Sequence, residues 1–220
     1  MALSGSVQSG SSGLKGFDAN TPVSATTAQE FHAQGYRFCV RYVGREVMKS
    51  NDLTAEEAQT ILASGLALMP VQHVLDPGWN PTAALGQEYG ANAAKFAAQI
   101  GFAPGTNLWC DLECVATDTT AQDVIGYCNA WYDQVAAGGF VPGLYVGYQP
   151  GLTGQQLYAS LKFQHYWGAY NVDVSIPNRG WQIKQSTGTC TIGGITTECY
   201  DDNVTMTDLR GGQVLWMAGA

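Results

Sequence analysis

Apolar runs and stretches with helical spacing alternate along the chain, and this alternation predicts its elements. Apolar runs that predict strands lie at 36–43, 66–74, 107–113, 142–147 and 164–170, with weaker candidates at 16–20, 181–185 and 202–206. Stretches that predict helices lie at 26–34, 53–64, 84–100, 120–137 and 153–161. Strands separated by helices imply parallel pairing through right-handed crossovers. The pattern therefore predicts an α/β fold.

Local signals place the ends of several helices. Thr26 and Thr54 stand where an N-cap is expected, and Glu57 would complete a capping box with Thr54. Gly65 and Gly101 directly follow two of the helical stretches, as C-terminal glycines commonly do.

Two architectures fit this order of elements: a closed eight-stranded barrel and an open doubly wound sheet. The first strand is not followed by a Gly-rich phosphate loop, and polar residues collect at the carboxyl ends of the strands. We therefore predict an irregular (β/α)8 TIM-type barrel as a single domain over residues 14–220. The Ser/Gly-rich residues 1–13 are expected to form a flexible lead.

Composition and charge exclude several classes of protein. With 45% hydrophobic and 13% charged residues, the chain of 220 residues is not intrinsically disordered. The net charge of −8 and the lack of a basic run argue against a nucleic-acid partner. No apolar stretch of ~20 residues predicts a membrane span.

The cysteines and histidines give no metal-binding pattern. The six Cys contain no CxxC pair and the three His are scattered, so we expect neither a metal site nor a cofactor. Cys190 and Cys199 bracket a predicted hairpin with Gly193-Gly194 at its turn, where a disulfide is one possible outcome.

Polar and aromatic residues follow the predicted strands at their carboxyl ends, where parallel barrels carry their functional groups. These residues are Asp18, Arg41, Tyr42, Gln72, His73, Asp111, Glu113, Tyr145, Tyr148, Tyr170, Gln185, Asp201 and Asp202. The tyrosines are expected to contact sugar rings or to pack in the barrel. Arg41 is a further candidate contact, and Gln72 and Gln185 would bond sugar hydroxyls or satisfy buried backbone. His73 is expected to be structural or to lie on the rim.

Asp111 and Glu113 form the strongest chemical signal. Side chains two apart on a strand point to the same face, with Cα atoms roughly 7 Å apart. Repulsion between the two carboxylates should keep one of them protonated, and a protonated acid beside an ionised one suits glycosidic bond cleavage. Glu113 lies nearer the mouth and is the predicted general acid, with Asp111 in support. Helix capping, pairing with a surface base and a divalent cation are the alternatives, and convergence with Asp18 and Asp202 favours a functional site.

Several motifs resemble a bacterial glycoside hydrolase-like family, formerly a domain of unknown function, that is related to the family 25 lysozymes. The residues that carry the resemblance are Gly16-Phe17-Asp18, Tyr36-Arg37-Phe38 with Val40-Arg41-Tyr42, Leu53-Thr54-x-x-Glu57, Gly65-Leu66 with Met69-Pro70-Val71, and Asp111-x-Glu113. Trp181-Gln182-x-x-Gln185 and Asp202-x-Val204 are similar to the family 25 ending. The resemblance runs from Gly16 to about Thr205.

The family 25 lysozymes are irregular (β/α)8 barrels that cleave the β-1,4 bond of peptidoglycan beside N-acetylmuramic acid. The resemblance implies that Asp18, Asp111, Glu113 and Asp202 line the site, with Glu113 as the acid and Asp201 able to replace Asp202. It implies a muramidase-like glycosidase. A barrel that recognises wall glycan without cleaving it, and an enzyme for a different glycan, are the alternatives.

A wall enzyme must leave the cytoplasm. Residues 1–13 lack the charged region and apolar region of a secretory signal. We therefore expect synthesis in the cytoplasm and action outside it or in the periplasm, after non-classical export or lysis, with a secretion or phage apparatus as a possible partner.

Overall fold

The structure, a computed structural model, describes residues 2–192 and 195–219, without the side chains of residues 187–199. Its elements in chain order are β1 (Ser6–Gly10), β2 (Lys15–Ala19), α1 (Ala25–Ala33), β3 (Phe38–Val43), α2 (Ala55–Ala63), β4 (Ala67–Gln72), α3 (Ala83–Ile100), β5 (Asn107–Leu112), α4 (Ala121–Ala137), β6 (Val141–Val146), α5 (Gly154–Ala159), β7 (His165–Gly168), β8 (Ile183–Ile192), β9 (Ile195–Thr205) and β10 (Val214–Ala218).

Strands β2 to β9 close into an eight-stranded barrel. Neighbours from β2 to β8 pair in parallel, whereas β9 runs antiparallel to both β8 and β2. The pairing of β4 with β5 completes the ring, so the sheet is not open. The predicted irregular TIM-type barrel is confirmed, and the antiparallel β9 is one source of its irregularity.

The two terminal segments form a ribbon at the foot of the barrel. β1 pairs antiparallel with β10, from Ser6 opposite Ala218 to Gly10 opposite Val214. β10 in turn contacts β4 through Met217 and Leu68. The expectation that residues 1–13 form a flexible lead is therefore wrong for β1. This strand gains its order from the backbone of β10, and its own Ser/Gly-rich sequence shows no apolar pattern.

Large side chains fill the inside of the barrel. Trp109 and Trp167 are fully buried and meet edge to face, with ring centroids 5.9 Å apart. The Trp109 indole N–H donates to Met69 Sδ at 3.4 Å, and that of Trp167 donates to Asn203 Oδ1 at 2.9 Å. These two tryptophans fill the interior of the barrel. The mouth is therefore a closed depression and not a channel, as in other packed TIM barrels.

Helix ends agree with the sequence in part. Gly101 ends α3 with a φ of 109°, and Thr54 accepts the Glu57 N–H at the start of α2. The predicted capping box at Thr54 is only half formed, because the Glu57 carboxylate binds Arg41 and the Val23 N–H instead. The cap of α1 is Ser24 rather than Thr26, since α1 begins at Ala25.

The structure also tests part of the predictions on cysteines and on membrane spans. Cys39, Cys110, Cys114 and Cys128 are free thiols. The side chains of Cys190 and Cys199 lie outside the described residues, and so does the Gly193-Gly194 turn. No helix in the described part of the chain has the length and hydropathy needed to cross a bilayer.

Candidate active site

Four carboxylates meet at the carboxyl-end mouth of the barrel, and we call them the carboxylate pit: Asp18, Asp111, Glu113 and Asp201. Asp18 on β2 stands opposite Asp201 on β9. Asp111 is the fifth residue of β5, and Glu113 directly follows that strand. The negative charges of Glu113 and Asp18 both raise the pKa of Asp111, and those of Asp201 and Glu113 raise that of Asp18. The four groups therefore act on one another electrostatically.

Burial raises the pKa of two of the four groups, Asp18 and Asp111. Asp18 is 3% exposed and Asp111 is 4% exposed. Burial, with the Asp201 charge second, raises the pKa of Asp18 to about 8. Burial and the charges of Glu113 and Asp18 raise the pKa of Asp111 well above its ordinary value. Asp111 Oδ1 has no hydrogen-bond partner among the described residues, which also favours the neutral acid.

Glu113 is half-buried, unlike the buried Asp18 and Asp111. Its side chain is partly exposed, and burial followed by the Asp201 charge raises its pKa. The Trp79 indole N–H donates to the Glu113 backbone carbonyl at 2.9 Å. The next residue, Cys114, has a φ of 51°, so the chain turns sharply there. A partly exposed carboxyl with a raised pKa can hold a proton and pass it to a bound molecule.

Two buried amides hold the aspartates in place. Gln185 Nε2 donates to Asp18 Oδ2 and to Asp201 Oδ2, both at 2.9 Å. Its Oε1 accepts from the Tyr145 hydroxyl at 3.1 Å and the Tyr170 N–H at 3.2 Å. These four bonds use the full capacity of the amide. Gln185, a predicted substrate contact, is therefore placed to position carboxylates.

The sequence interpretation missed Asn203. Its Nδ2 donates to Asp18 Oδ2 at 2.7 Å and its Oδ1 accepts from Trp167. Asn203 lies two residues after Asp201 on β9, and the period of two along a strand is the signal that would have found it.

The tyrosines divide between the pit wall and the rim. Burial, and then the charges of the pit aspartates, raise the pKa of Tyr42 and of Tyr145 well above the ordinary value. Both hydroxyls therefore stay protonated and can donate hydrogen bonds. Tyr145 also packs edge-on against Trp167 at 4.6 Å. Tyr148 and Tyr170 are 44% and 54% exposed and form the rim.

Arg41 lies behind the barrel wall, not in the mouth. It is fully buried, and its Nε lies 2.6 Å from Glu57 Oε1. Its Nη1 donates to the Ala19 carbonyl at 2.6 Å and its Nη2 to the Asn51 carbonyl at 2.8 Å. We therefore correct its assignment as a substrate contact: Arg41 alternates with the inward Val40 and Tyr42 on β3.

Gln72 is directed outward in the same way. Its Nε2 donates to the carbonyls of Gly44 and Tyr89, and its Oε1 accepts the Trp131 indole N–H at 2.8 Å. The structure places this amide between β4 and helices α3 and α4, away from the pit. Gln72 therefore hydrogen-bonds buried polar groups instead of substrate, which is the alternative that the sequence left open.

Asp202 also points away from the pit. It stands opposite Phe17, whose ring packs in the core under α1. Burial and the adjacent Asp202 charge raise the pKa of Tyr36 to about 12. Asp201 occupies the pit position expected of Asp202, because consecutive residues of a strand face opposite sides.

His73 lies beside the pit and pairs with an aspartate that the sequence interpretation did not include. Its Nε2 lies 2.9 Å from Asp52 Oδ1, and its ring stacks on Tyr42 with centroids 4.5 Å apart. In the described part of the chain, no three His, Cys, Asp or Glu side chains are grouped to hold a metal ion.

The family comparison covers most of the chain. A model of the family described as Rv2525c-like, glycoside hydrolase-like domain matches residues 29–206. The match includes Asp111, Glu113 and Asp201, whereas Asp18 precedes it. The resemblance that the sequence motifs indicated is thereby confirmed. No protein of curated function matches the chain.

Solved structures share the fold. The Mycobacterium tuberculosis Tat-secreted protein Rv2525c, in complex with L-tartrate, has a TM-score of 0.64 and 15% identity over 93% of this chain and 99% of its own. The Clostridium perfringens spore cortex lytic enzyme SleM has a TM-score of 0.65 and 16% identity over 88% and 67%. A bacterial lysozyme from Streptomyces coelicolor has a TM-score of 0.58 and 14% identity over 89% and 93%.

Proposed function

The chain belongs to the Rv2525c-like, glycoside hydrolase-like domain family, and on that premise we propose that it hydrolyses glycosidic bonds of bacterial cell-wall peptidoglycan. One observation carries the proposal. Glu113 is partly exposed, has a raised pKa, and shares the pit with the half-buried Asp201, whose charge acts on it, and with the buried Asp18 and Asp111. A proton donor beside groups that stabilise positive charge is what glycoside hydrolysis requires.

In this mechanism Glu113 is the general acid. Its proton passes to the glycosidic oxygen while the bond from that oxygen to the anomeric carbon breaks. The pair of Asp18 and Asp201, held by Gln185, stabilises the positive charge that develops on the sugar when at least one of them is ionised. A water molecule then supplies the hydroxyl group to the anomeric carbon and its remaining proton to the carboxylate of Glu113.

Asp111 has a separate role in the proposal. Its burial raises its pKa well above the ordinary value and favours the neutral acid, and one of its oxygens has no protein partner in the described part of the chain. A neutral carboxyl can donate one hydrogen bond and accept another. Asp111 therefore orients a polar group of the sugar, such as an acetamido group. A protonated Asp111 carries no charge, so it has little effect on the pKa of Glu113.

The solved relatives support the choice of substrate and location. SleM is named as a spore cortex lytic enzyme, the Streptomyces coelicolor protein as a lysozyme, and Rv2525c as a Tat-secreted protein. For this chain we accordingly propose a wall glycan as substrate and action outside the cytoplasm.

A glycan-binding barrel without activity is the second candidate. The raised pKa values of Asp18 and Asp111 favour it, because protonated aspartates cannot stabilise a positive sugar. The exposed rings of Tyr148 and Tyr170 suit sugar stacking in either case.

Incubation of the purified chain with peptidoglycan sacculi separates the two candidates. The proposal predicts the release of new reducing ends with time, measured over a series of pH values, because burial and the Asp201 charge raise the pKa of Glu113. If the protein sediments with sacculi but no reducing ends appear at any pH, the binding barrel is the correct assignment. If it neither binds nor cleaves, both proposals are wrong.

A further inference from the structure

A polar cleft of about 530 Å³ lies at the same end of the barrel as the carboxylate pit. Its walls come from the segments that directly follow three consecutive strands: residues 20–21 after β2, 45–52 after β3 and 73–76 after β4. We call it the cationic cleft, after Arg45, Lys49 and His73, which line it together with the buried Asp52 and the exposed Asp76.

Two of these cations make no direct ion pair among the described residues, and the Lys49 side chain acts on Asp52 only through its charge at a longer distance. Neither Arg45 nor Lys49 forms an ion pair in the part of the chain that the structure describes. Among the described residues, Arg45 donates to the carbonyl of Val74. The buried Asp52 of the cleft is already occupied, since it bonds His73 and accepts the Lys49 backbone N–H at 2.7 Å. In a chain with a net charge of −8, two unpaired cations on one wall favour an anionic ligand group.

The cleft lies next to the pit, with His73 and Tyr42 between them. The His73 ring stacks on Tyr42, and Tyr42 lies within the field of Asp18 and Asp111. The Arg45 guanidinium also acts on the pit, because it lowers the pKa of Asp111 against the larger effect of burial. A chain of sugars seated over Glu113 can therefore extend past Tyr42 into the cleft.

We propose that the cationic cleft binds a carboxylate carried by the glycan substrate, with Arg45 and Lys49 as its donors. This inference rests on the proposed function, because the proposed function identifies the substrate as a cell-wall glycan. A wall glycan offers this chemistry from two sources, an acidic substituent of the sugar itself and an acidic residue of an attached peptide. The guanidinium and ammonium groups suit either one, since both form charge-assisted hydrogen bonds to carboxylates.

The test measures affinity without cleavage, in a Glu113→Gln background. Three glycan fragments of equal length are titrated by calorimetry: a neutral N-acetylglucosamine oligomer, a peptide-free wall strand with free sugar carboxylates, and the same strand carrying peptides. Arg45→Gln and Lys49→Gln should each weaken binding of the acidic fragments about tenfold, the usual cost of one charge-assisted bond. Both should leave binding of the neutral oligomer within twofold. Lys15→Gln is the matched control, because Lys15 is exposed at the opposite end of β2.

The fragments also identify the carboxylate. A loss seen already with the peptide-free strand assigns the cleft to the sugar substituent, and a loss confined to the peptide-bearing strand assigns it to the peptide. Equal weakening for the neutral oligomer, or no weakening in the Arg45→Gln/Lys49→Gln double variant, overturns the proposal. Binding that depends on Arg45 and Lys49, in a protein whose wild type releases no reducing ends, supports the cleft and rejects the glycosidase.

Discussion

The side chain of Glu113 lies directly over the backbone of Gly147. A β-carbon added at Gly147 would stand 2.2 Å from Glu113 Oε2 and 2.4 Å from Glu113 Cβ. Gly147 follows β6, the strand beside the one that Glu113 follows, so it forms one wall for the acid. Any side chain at this position would displace the carboxyl group that the account treats as the proton donor.

Gly147→Ala should therefore lower hydrolysis by roughly 100-fold, the order of effect of moving a catalytic group by about 1 Å. The rate of reducing-end release from sacculi measures this effect. Gly126→Ala in α4 is the control, because its new β-carbon would lie 3.5 Å from Ala83 Cβ, an ordinary contact. It should leave the rate unchanged and add about 0.5–1 kcal/mol to the free energy of unfolding. Equal activity in the two variants would contradict the placement of Glu113.

Asp201 and Asp202 offer a matched pair of substitutions on one strand. Asp201 shares the Gln185 amide with Asp18, whereas Asp202 faces Tyr36 on the outer side. Asp201→Asn should reduce the rate of hydrolysis about 100-fold by removing a charge that stabilises the transition state. Asp202→Asn should keep the rate within twofold. Steady-state rates on sacculi decide between them, and the reverse order of effects would show that Asp202 is the site residue.

Arg41 should affect stability and not catalysis. The buried guanidinium is held by Glu57 and two backbone carbonyls. Its removal leaves the half-buried Glu57 carboxylate without its cation, which typically costs about 3–5 kcal/mol. Arg41→Gln should therefore lower the free energy of unfolding in urea by about 3 kcal/mol, while KM for the glycan stays unchanged in the folded fraction. A raised KM with full stability would restore Arg41 as a substrate contact.

The stability of the protein should fall as the pH rises from about 4 to 8. The folded Asp18 has a pKa of about 8, and its unfolded value is 3.8. Between these values the folded state binds more protons than the unfolded state, so the free energy of unfolding decreases with pH, by up to about 1.4 kcal/mol per unit for one proton. Asp18→Asn should remove part of this slope in urea titrations at pH 5 and pH 8. Asp118→Asn on the exposed surface is the control, and an identical slope in all three proteins would refute the assignment.

The barrel and most of its pit could be predicted from the sequence, because both depend on local patterns. Asp111 and Glu113 are two apart at the end of an apolar strand, and Asp18 ends another. Which face of a strand lies inside the barrel could not be read in the same way. Both faces of β3 are largely buried, so Arg41 was assigned to the mouth although it alternates with Tyr42.

Contacts between distant segments were also hidden. β1 depends on pairing with β10, which lies some two hundred residues later in the chain. The choice between Asp201 and Asp202 depends on the register of β9 against β2, which neither residue reveals locally. Asn203 acts on Asp18, and Gly147 forms a wall for Glu113. In each pair the two residues lie on or directly after different strands, so the sequence around either one does not reveal the contact.

The most direct test of the central claim is the rate of reducing-end release from sacculi by Glu113→Gln. The amide keeps the size of the side chain but cannot donate an acidic proton, and general acids typically contribute 10²–10⁴-fold. The account predicts a loss of about that size, with sedimentation on sacculi unchanged and with full activity in Glu56→Gln, which alters an exposed glutamate of α2. Undiminished hydrolysis by Glu113→Gln would contradict the account.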